Sequence, residues 1–324
     1  IYVPFVLDSF FLPTERMVRP DPGNVAVVSQ SGGILVDNMV KFKEEGVGLS
    51  LGVSIGNKAL IREIDLLRYL QEDPSTRVIV FYIEGFEEGE GRDFALAGSD
   101  SKKPVVVIKS GKTTAGTRAV LSHTASLAGD YQIFSTAMAQ MGIVEAQNEL
   151  ELISFCESLS SYQTPIEATV GIISGSGGHG AMAVDVCSAH GFHVPRLNAE
   201  QQELIRKDLS ESIRNIASLE NPIDLTGSAV DEDFVCAARH ISTIAEIGCV
   251  ILLLLPYLPG ITSDLGARLS NIYQEVGKPL IAYVPHVEKF RMLIEGFELN
   301  GVPVSHSIEA AVLMAEALKR RKSS

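Results

Sequence analysis

Apolar residues gather along this chain in short continuous runs, each closed by a turn-forming residue and followed by a stretch with helical spacing. Asn24-Val-Ala-Val-Val-Ser-Gln-Ser-Gly-Gly33 is one such run ending in a Ser/Gly turn. Thr169-Val-Gly-Ile-Ile-Ser-Gly-Ser-Gly-Gly178 repeats it at an offset of 145 residues. Each leads into a helical stretch that stops at a glycine in matching register, Gly46 and Gly191. The parallel continues: Val78 to Glu84 and Val250 to Pro256 are apolar runs suited to central parallel strands, and Lys103-Pro-Val-Val-Val and Lys278-Pro-Leu-Ile-Ala open the next strand alike. Gly142-Ile-Val with a helix through Leu159 then mirrors Gly301-Val-Pro-Val with a helix through Leu318. Strands alternating with helices predict an α/β fold with parallel, doubly wound sheets, present twice in tandem. The boundary is expected in the polar, proline-punctuated stretch Ser161-Tyr-Gln-Thr-Pro165.

One difference between the copies stands out. From Pro104 to Gly142 the first copy carries about sixteen more residues than the second does from Pro279 to Gly301. The surplus holds Ser122-His-Thr-Ala-Ser-Leu-Ala-Gly129, read here as a long loop at a strand's C-terminal end, where such sheets bind ligands.

A length of 324 residues with 46% hydrophobic content suits two ordinary cores. Cys156, Cys187, Cys236 and Cys249 lie far apart, without a C-x-x-C pair or a histidine at zinc-finger spacing, so neither disulfides nor a metal are signalled and buried thiols in a reducing, cytoplasmic setting are expected. A net charge of −13 argues against nucleic acid or an anionic membrane as partner, and leaves small anions open through local fields. The longest apolar run, Cys249 to Leu255, stops at Pro256, far short of the roughly 20 residues of a membrane span. The chain opens on Ile1 without a signal-peptide pattern, and Ile1 to Pro20 reads as the tail of something preceding, which implies a longer polypeptide.

Ser31, Gly32 and Gly33 stand where a helix begins, and Ser176, Gly177 and Gly178 do the same in the second copy. Unpaired N–H groups and the positive end of the helix dipole make each a candidate phosphate cradle. The plainer alternative is a serine N-cap with glycines that ease a tight turn. His123 sits among small polar residues, and from Ser101 to Gly129 there is no acidic residue, whereas Lys102, Lys103, Lys109, Lys112 and Arg118 are present. That combination suits a phosphorylated species, with imidazole as phosphoryl acceptor. Glu84, at the end of an apolar strand, is placed to hold the other ring nitrogen, its alternative role being an acid at a helix start, which Glu87 and Glu88 fit better. Ser110-Gly-Lys-Thr113 resembles the end of a P-loop but has Val106 where the first glycine belongs. Gly175-Ser-Gly-Gly-His-Gly180 satisfies a dinucleotide fingerprint with Arg196 where an NADP phosphate would be read, so an NADP-dependent oxidoreductase is a rival reading. His179, His190 and His193 are too far apart along a helix to share a metal.

Taken together, Ser29-Gln-Ser-Gly-Gly33, Gly56-Asn57 with Asp65-Leu-Leu67, Tyr82-Ile-Glu-Gly85, Ser122-His-Thr-Ala-Ser-Leu-Ala-Gly129, Gly175-Ser-Gly-Gly178 and Asn221-Pro-Ile-Asp224 resemble the NDP-forming acyl-CoA synthetases, relatives of succinyl-CoA synthetase. The resemblance implies two flavodoxin-like domains: residues 23–163 as the phosphohistidine-bearing ligase domain and 164–324 as the second, with 1–22 the tail of a preceding CoA-binding domain. It implies the reversible conversion of acyl-CoA, phosphate and NDP to acid, CoA and NTP through an acyl phosphate and a phosphohistidine. By position His123 would carry the phosphoryl group, Glu84 would orient it, and the two Ser-Gly-Gly helix starts would face one another across the phosphate. No tightly bound cofactor is implied. CoA, phosphate and ADP or ATP are substrates, Mg²⁺ belongs to a partner ATP-grasp module, and an oligomer is expected. Ala125 stands where the family usually has glycine. The alternative within the same fold is a regulatory or scaffolding module that has lost the chemistry.

Overall fold

The computed structural model describes residues 1–123, 129–285 and 287–322. It divides into two compact units, one of Ile1–Gln163 together with the chain from Arg320 onward, the other of Thr164–Lys319. The second domain, expected over 164–324, thus ends at Lys319. Residues 320–322 group with the first unit because Arg320 Nη1 donates to Glu145 O at 3.2 Å and Arg321 Nη1 to Tyr162 O at 3.2 Å.

The first unit runs β1 (Tyr2–Val3), β2 (Leu7–Asp8), β3 (Pro22–Ser29), α1 (Gly32–Glu44), β4 (Leu49–Ser54), α2 (Glu63–Glu72), β5 (Val78–Ile83), α3 (Glu90–Ser99), β6 (Val105–Lys109), α4 (Thr114–His123), α5 (Tyr131–Gln140), β7 (Val144–Ala146) and α6 (Glu149–Ser161). Among the described residues its sheet has the order β2-β1-β4-β3-β5-β6-β7. From β4 to β7 all pairings are parallel, with Val25↔Val78 and Ile79↔Val105 setting the central register. β1 joins antiparallel, Tyr2 opposite Gly52, so residues 1–8 extend the edge of this sheet. The central strands are buried on both faces, which is why they read as continuous rather than alternating apolar runs. Ala26, Val28, Ile79, Phe81, Val105 and Val107 turn to one face, against Leu67 and Leu70 of α2, Phe94 of α3 and Met138 of α5.

The second unit runs β8 (Val170–Ser174), α7 (Gly177–Ala189), α8 (Ala199–Asp208), β9 (Ile223–Asp224), α9 (Asp231–Ser242), β10 (Cys249–Leu253), α10 (Leu265–Val276), β11 (Leu280–Tyr283), α11 (Arg291–Glu298), β12 (Val304–Ser305) and α12 (Ile308–Arg320). Its sheet order is β12-β11-β10-β8-β9, all parallel. Counting each unit's parallel strands from its Ser-Gly-Gly strand, both sheets follow the order 2-1-3-4-5 of a flavodoxin-like fold. The duplication read from the letters is thus a duplication of topology. Gly46 and Gly191 end the first helix of each unit at φ 71° and 70°, a left-handed stop that glycine adopts without a Cβ penalty.

Two of the differences between the copies bear on the strand ends. The sixteen surplus residues do not form a loop throughout: residues 114–123 are the helix α4, so Ser122 and His123 end a helix, a correction to the sequence reading. Small residues there serve helix packing, Gly116 having Gly111 Cα at 3.3 Å from where its own Cβ would be. Thr124 to Ala128, including Ala125, lie outside the described residues. The second difference is at the sheet edge, where β9 pairs with β8 through two residues. The part of β8 that β9 leaves unpaired is met instead by the Asn221 side chain, whose Oδ1 accepts from Ile172 N at 2.9 Å and whose Nδ2 donates to Val170 O at 3.1 Å and Pro195 O at 2.9 Å. A side-chain amide here does the work of a strand's peptide group.

Asn221→Ala would orphan the Ile172 N–H and two carbonyls at a buried edge, and is expected to lower stability by about 2–4 kcal/mol. Urea denaturation compared with the parent chain measures this, and an unchanged midpoint would remove the amide from the ladder.

Candidate functional site

In a sheet of order 2-1-3-4-5 the connections leave strands 1 and 3 in opposite directions, which opens a crevice at their C-terminal ends. In the first unit those ends are Ser29 of β3 and Ile83 of β5, adjacent in the sheet. Ser31, Gly32 and Gly33 therefore stand on one lip of the crevice and Glu84 on the other. Glu84 lies six positions before the first residue of α3, Glu90, so it is not an acid of that helix's first turn.

The two lips are joined by buried polar side chains, of which Gln30, Lys58 and Glu63 had no signal of their own in the sequence. Gln30, 8% exposed, accepts at Oε1 from Glu84 N and from Gly85 N at 3.1 Å, and donates from Nε2 to Gly85 O at 2.8 Å and to Glu63 Oε1. Both lone pairs and both N–H groups of the amide are thus used. The Lys58 ammonium also reaches Gly85 O, at 3.1 Å, and lies 3.3 Å from both Glu63 and Glu90. Burial would raise the Glu90 carboxyl, but the Glu87 N–H and the Lys58 charge outweigh it and hold it below its usual range. On the other side Lys109 Nζ, at the end of β6, donates to Glu84 O at 2.7 Å and to Ser110 O. Burial pushes the Lys109 ammonium down to about 8, against the raising pull of Glu84 and Glu145. Every backbone polar atom of residues 84 and 85 therefore has a buried side-chain partner.

The helix starts share one construction. Ser29 Oγ donates to Ser31 O at 2.6 Å and accepts from Ser31 N at 3.1 Å, and Ser174 does the same for Ser176 at 2.9 and 3.0 Å. Ser31 is an N-cap, its Oγ accepting from Ile34 N at 3.4 Å, whereas Ser176 leaves that role and meets His179 Nδ1 at 3.2 Å. None of Gly32, Gly33, Gly177 and Gly178 has a positive φ. Their lack of a side chain instead keeps the first-turn N–H groups uncovered. A Cβ on Gly177 would lie 2.9 Å from Asp224 Oδ2, which is how the Asn221-Pro-Ile-Asp224 segment meets the second helix start.

The basic stretch does not act as one field. Lys103 lies at the start of β6, the far end of the sheet, where its ammonium donates to Leu70 O at 2.7 Å and Asp73 O at 2.5 Å. Lys112 is tied to Gln147 O at 2.8 Å. Lys109 is the member that reaches the crevice. A one-dimensional charge count missed this because a strand carries its two ends to opposite sides of the sheet. Arg196, offered above as an NADP reader, is paired with Glu220. His179 and His190 have separate partners, His190 Nδ1 lying 2.7 Å from Glu316 Oε2. The backbone of His123 ends α4; its side chain is outside what is described.

Residues 22–159 match the model of the succinyl-CoA ligase like flavodoxin domain. Acetate–CoA ligase [ADP-forming] I of Archaeoglobus fulgidus is 38% identical over 75% of this chain and 35% of its own length. The alpha subunit of acetate–CoA ligase [ADP-forming] I of Pyrococcus furiosus is 32% identical over 98% of this chain and 67% of its own. A dinucleotide-forming acetyl-coenzyme A synthetase 1 of Ca. Korarchaeum cryptofilum, solved with phosphate and ADP, superposes with a TM-score of 0.82 at 28% identity, covering 93% of this chain and 65% of that one. The chain thus spans from about a third to two thirds of the relatives it matches. With a shared flavodoxin-like domain and near-complete coverage by an alpha subunit of that kind, the chain belongs to the family of the ADP-forming acyl-CoA ligases.

Proposed function

We propose that this chain is the phosphohistidine-bearing part of an NDP-forming acyl-CoA synthetase. The observation that carries the reading is the convergence of Glu84, on its pinned strand end, with the Ser31–Gly33 helix start at one switch point. In the proposed sequence phosphate attacks the acyl-CoA thioester carbonyl, forming acyl phosphate and releasing CoA. His123 then takes the phosphoryl group through a neutral ring nitrogen, releasing the acid, and passes it to ADP. Glu84 accepts from the other ring N–H and stabilises the ring as charge builds on it. Gly32 and Gly33, and separately Gly177 and Gly178, offer open N–H groups and helix-dipole ends to phosphate.

The reading assigns CoA, phosphate, ADP and ATP as substrates, with Mg²⁺ held at a partner ATP-grasp module. It assigns residues 1–22 to the end of a CoA-binding domain, and the working form to an oligomer in the cytoplasm. Among the described residues no helix is long and apolar enough to cross a membrane. A scaffold without chemistry would have no use for an acidic residue whose backbone is pinned so firmly at a switch point.

Incubating the chain with ATP, Mg²⁺ and a matching ATP-grasp subunit should add one acid-labile, base-stable phosphate, read by intact mass and mapped to His123. His123→Asn should abolish it while circular dichroism shows the parent fold; undiminished labelling in that variant rejects the nucleophile.

Glu84→Gln is expected to slow phosphotransfer about ten- to a thousandfold, as loss of an orienting carboxylate does elsewhere. An unchanged rate in single-turnover measurements would leave Glu84 with a structural role.

Gln30→Leu keeps the Glu84 carboxylate but leaves two buried N–H groups unmet, at about 1–3 kcal/mol each. It should lower both the unfolding midpoint and the phosphotransfer rate, and a variant as active as the parent would separate the clasp from the chemistry.

A further inference from the structure

Away from both switch points, α8 and α9 bring three metal-binding side chains together. Cys236 and His240 are four residues apart on α9, one above the other on the same face. Asp208 is the last residue of α8, and its Oδ2 lies 2.8 Å from His240 Nε2. The donor atoms of Asp208, Cys236 and His240 all fall within 4.8 Å of one another. Cys236 is half-buried in the seam between the helices, where its thiol makes a long contact to Ile205 O at 3.8 Å. The surroundings carry both signs, with Arg206 and Lys207 in the last turn of α8. The C-terminal end of α8 points its dipole there, and Asp233, bonded to Ser210 N and Val230 N, adds a second carboxylate. Arg239, the neighbouring cation on α9, is drawn toward Glu275 at 3.4 Å.

We propose that Asp208, Cys236 and His240 form a binding site for one divalent transition-metal ion of the zinc class. One sulfur, one imidazole nitrogen and one carboxylate oxygen make a mixed donor set that suits zinc, whereas magnesium and calcium take oxygen ligands. Three protein ligands leave a fourth position for water, on the side where Asp208 is exposed. On binding, the thiol proton passes to solvent, the sulfur bonds to the ion, and the Asp208–His240 hydrogen bond gives way to two bonds to the metal. α9 runs antiparallel to the strands, so its Cys236–His240 half lies at their N-terminal ends, opposite the Ser176–Gly178 helix start. The ion would therefore clamp α8 to α9 and take no part in chemistry at that helix start. The proposal stands apart from the phosphohistidine reading and is tested without it.

The full chain, freed of metal by chelation, is titrated with Co²⁺ and then Zn²⁺. One equivalent of Co²⁺ should bind with a near-ultraviolet sulfur-to-metal charge-transfer band, which one equivalent of Zn²⁺ displaces. The band belongs to Cys236, because Cys156, Cys187 and Cys249 are fully buried, and Cys236→Ser should abolish it. His240→Ala and Asp208→Asn, which retain the thiol, should each weaken Zn²⁺ binding at least ~10-fold, since losing even an outer partner of a metal ligand costs that much. Zn²⁺ should raise the thermal midpoint of the parent chain and not of Cys236→Ser. The proposal is overturned by a parent chain that shows no charge-transfer band, by a band that survives Cys236→Ser, or by unchanged Zn²⁺ affinity in both His240→Ala and Asp208→Asn.

Discussion

The peptide group between Glu84 and Gly85 is held on every side, and the organisation of the first unit depends on it. Gln30 bonds both N–H groups, Lys109 takes the Glu84 carbonyl, and Gln30 with Lys58 shares the Gly85 carbonyl. A buried polar group left unmet costs about 1–3 kcal/mol, so each of these partners has a use only while the others are in place. Glu63 takes the remaining donor of Gln30 and shares Lys58 with Glu90. The clasp thereby ties β3, α2, β5 and β6 together at the end where the sheet opens. A carboxylate that leaves a central strand at this point has a defined direction, which a surface loop would not provide.

The same frame is used twice with different fittings. In both units a serine two residues before the N-cap position holds that residue's peptide, and two glycines then open the helix. Among the described residues the second unit carries no counterpart of α4, and its second strand shrinks to two residues, with Asn221 supplying the missing ladder bonds. That segment then delivers Asp224 beside Gly177, so the edge repair and the second helix start are built from one stretch of chain. Duplication conserved the positions of the strand ends, and divergence acted on what was attached to them. The surplus in the first unit went to a helix that ends at His123.

Local chemistry determined much of this protein. Strand positions follow from uninterrupted apolar runs, the helix starts from Ser-Gly-Gly, and the helix stops from Gly46 and Gly191, because each of these signals acts within a few residues. A repeat offset of 145 residues was enough to show two copies of one sheet. Glu84 and the two helix starts were legible for the same reason, being residues of distinct chemistry at predicted strand ends.

What the letters could not decide depends on pairings between distant residues. Gln30 and Glu84 are 54 positions apart, Asn221 and Ile172 49, and Asp208 and His240 32, and no periodicity reports such meetings. The basic stretch from Lys102 to Arg118 looked like a single field along the chain, yet β6 carries Lys103 and Lys109 to opposite ends of the sheet. Likewise a histidine and a cysteine four residues apart have no meaning as donors until a second helix brings a carboxylate to them. The sequence by itself determined the elements, their repetition and the strand ends at which Glu84 and the two helix starts stand, through short-range sterics and burial. Only the tertiary structure decided which polar groups share a dry interior, because that choice is made by strand order and packing across long stretches of chain.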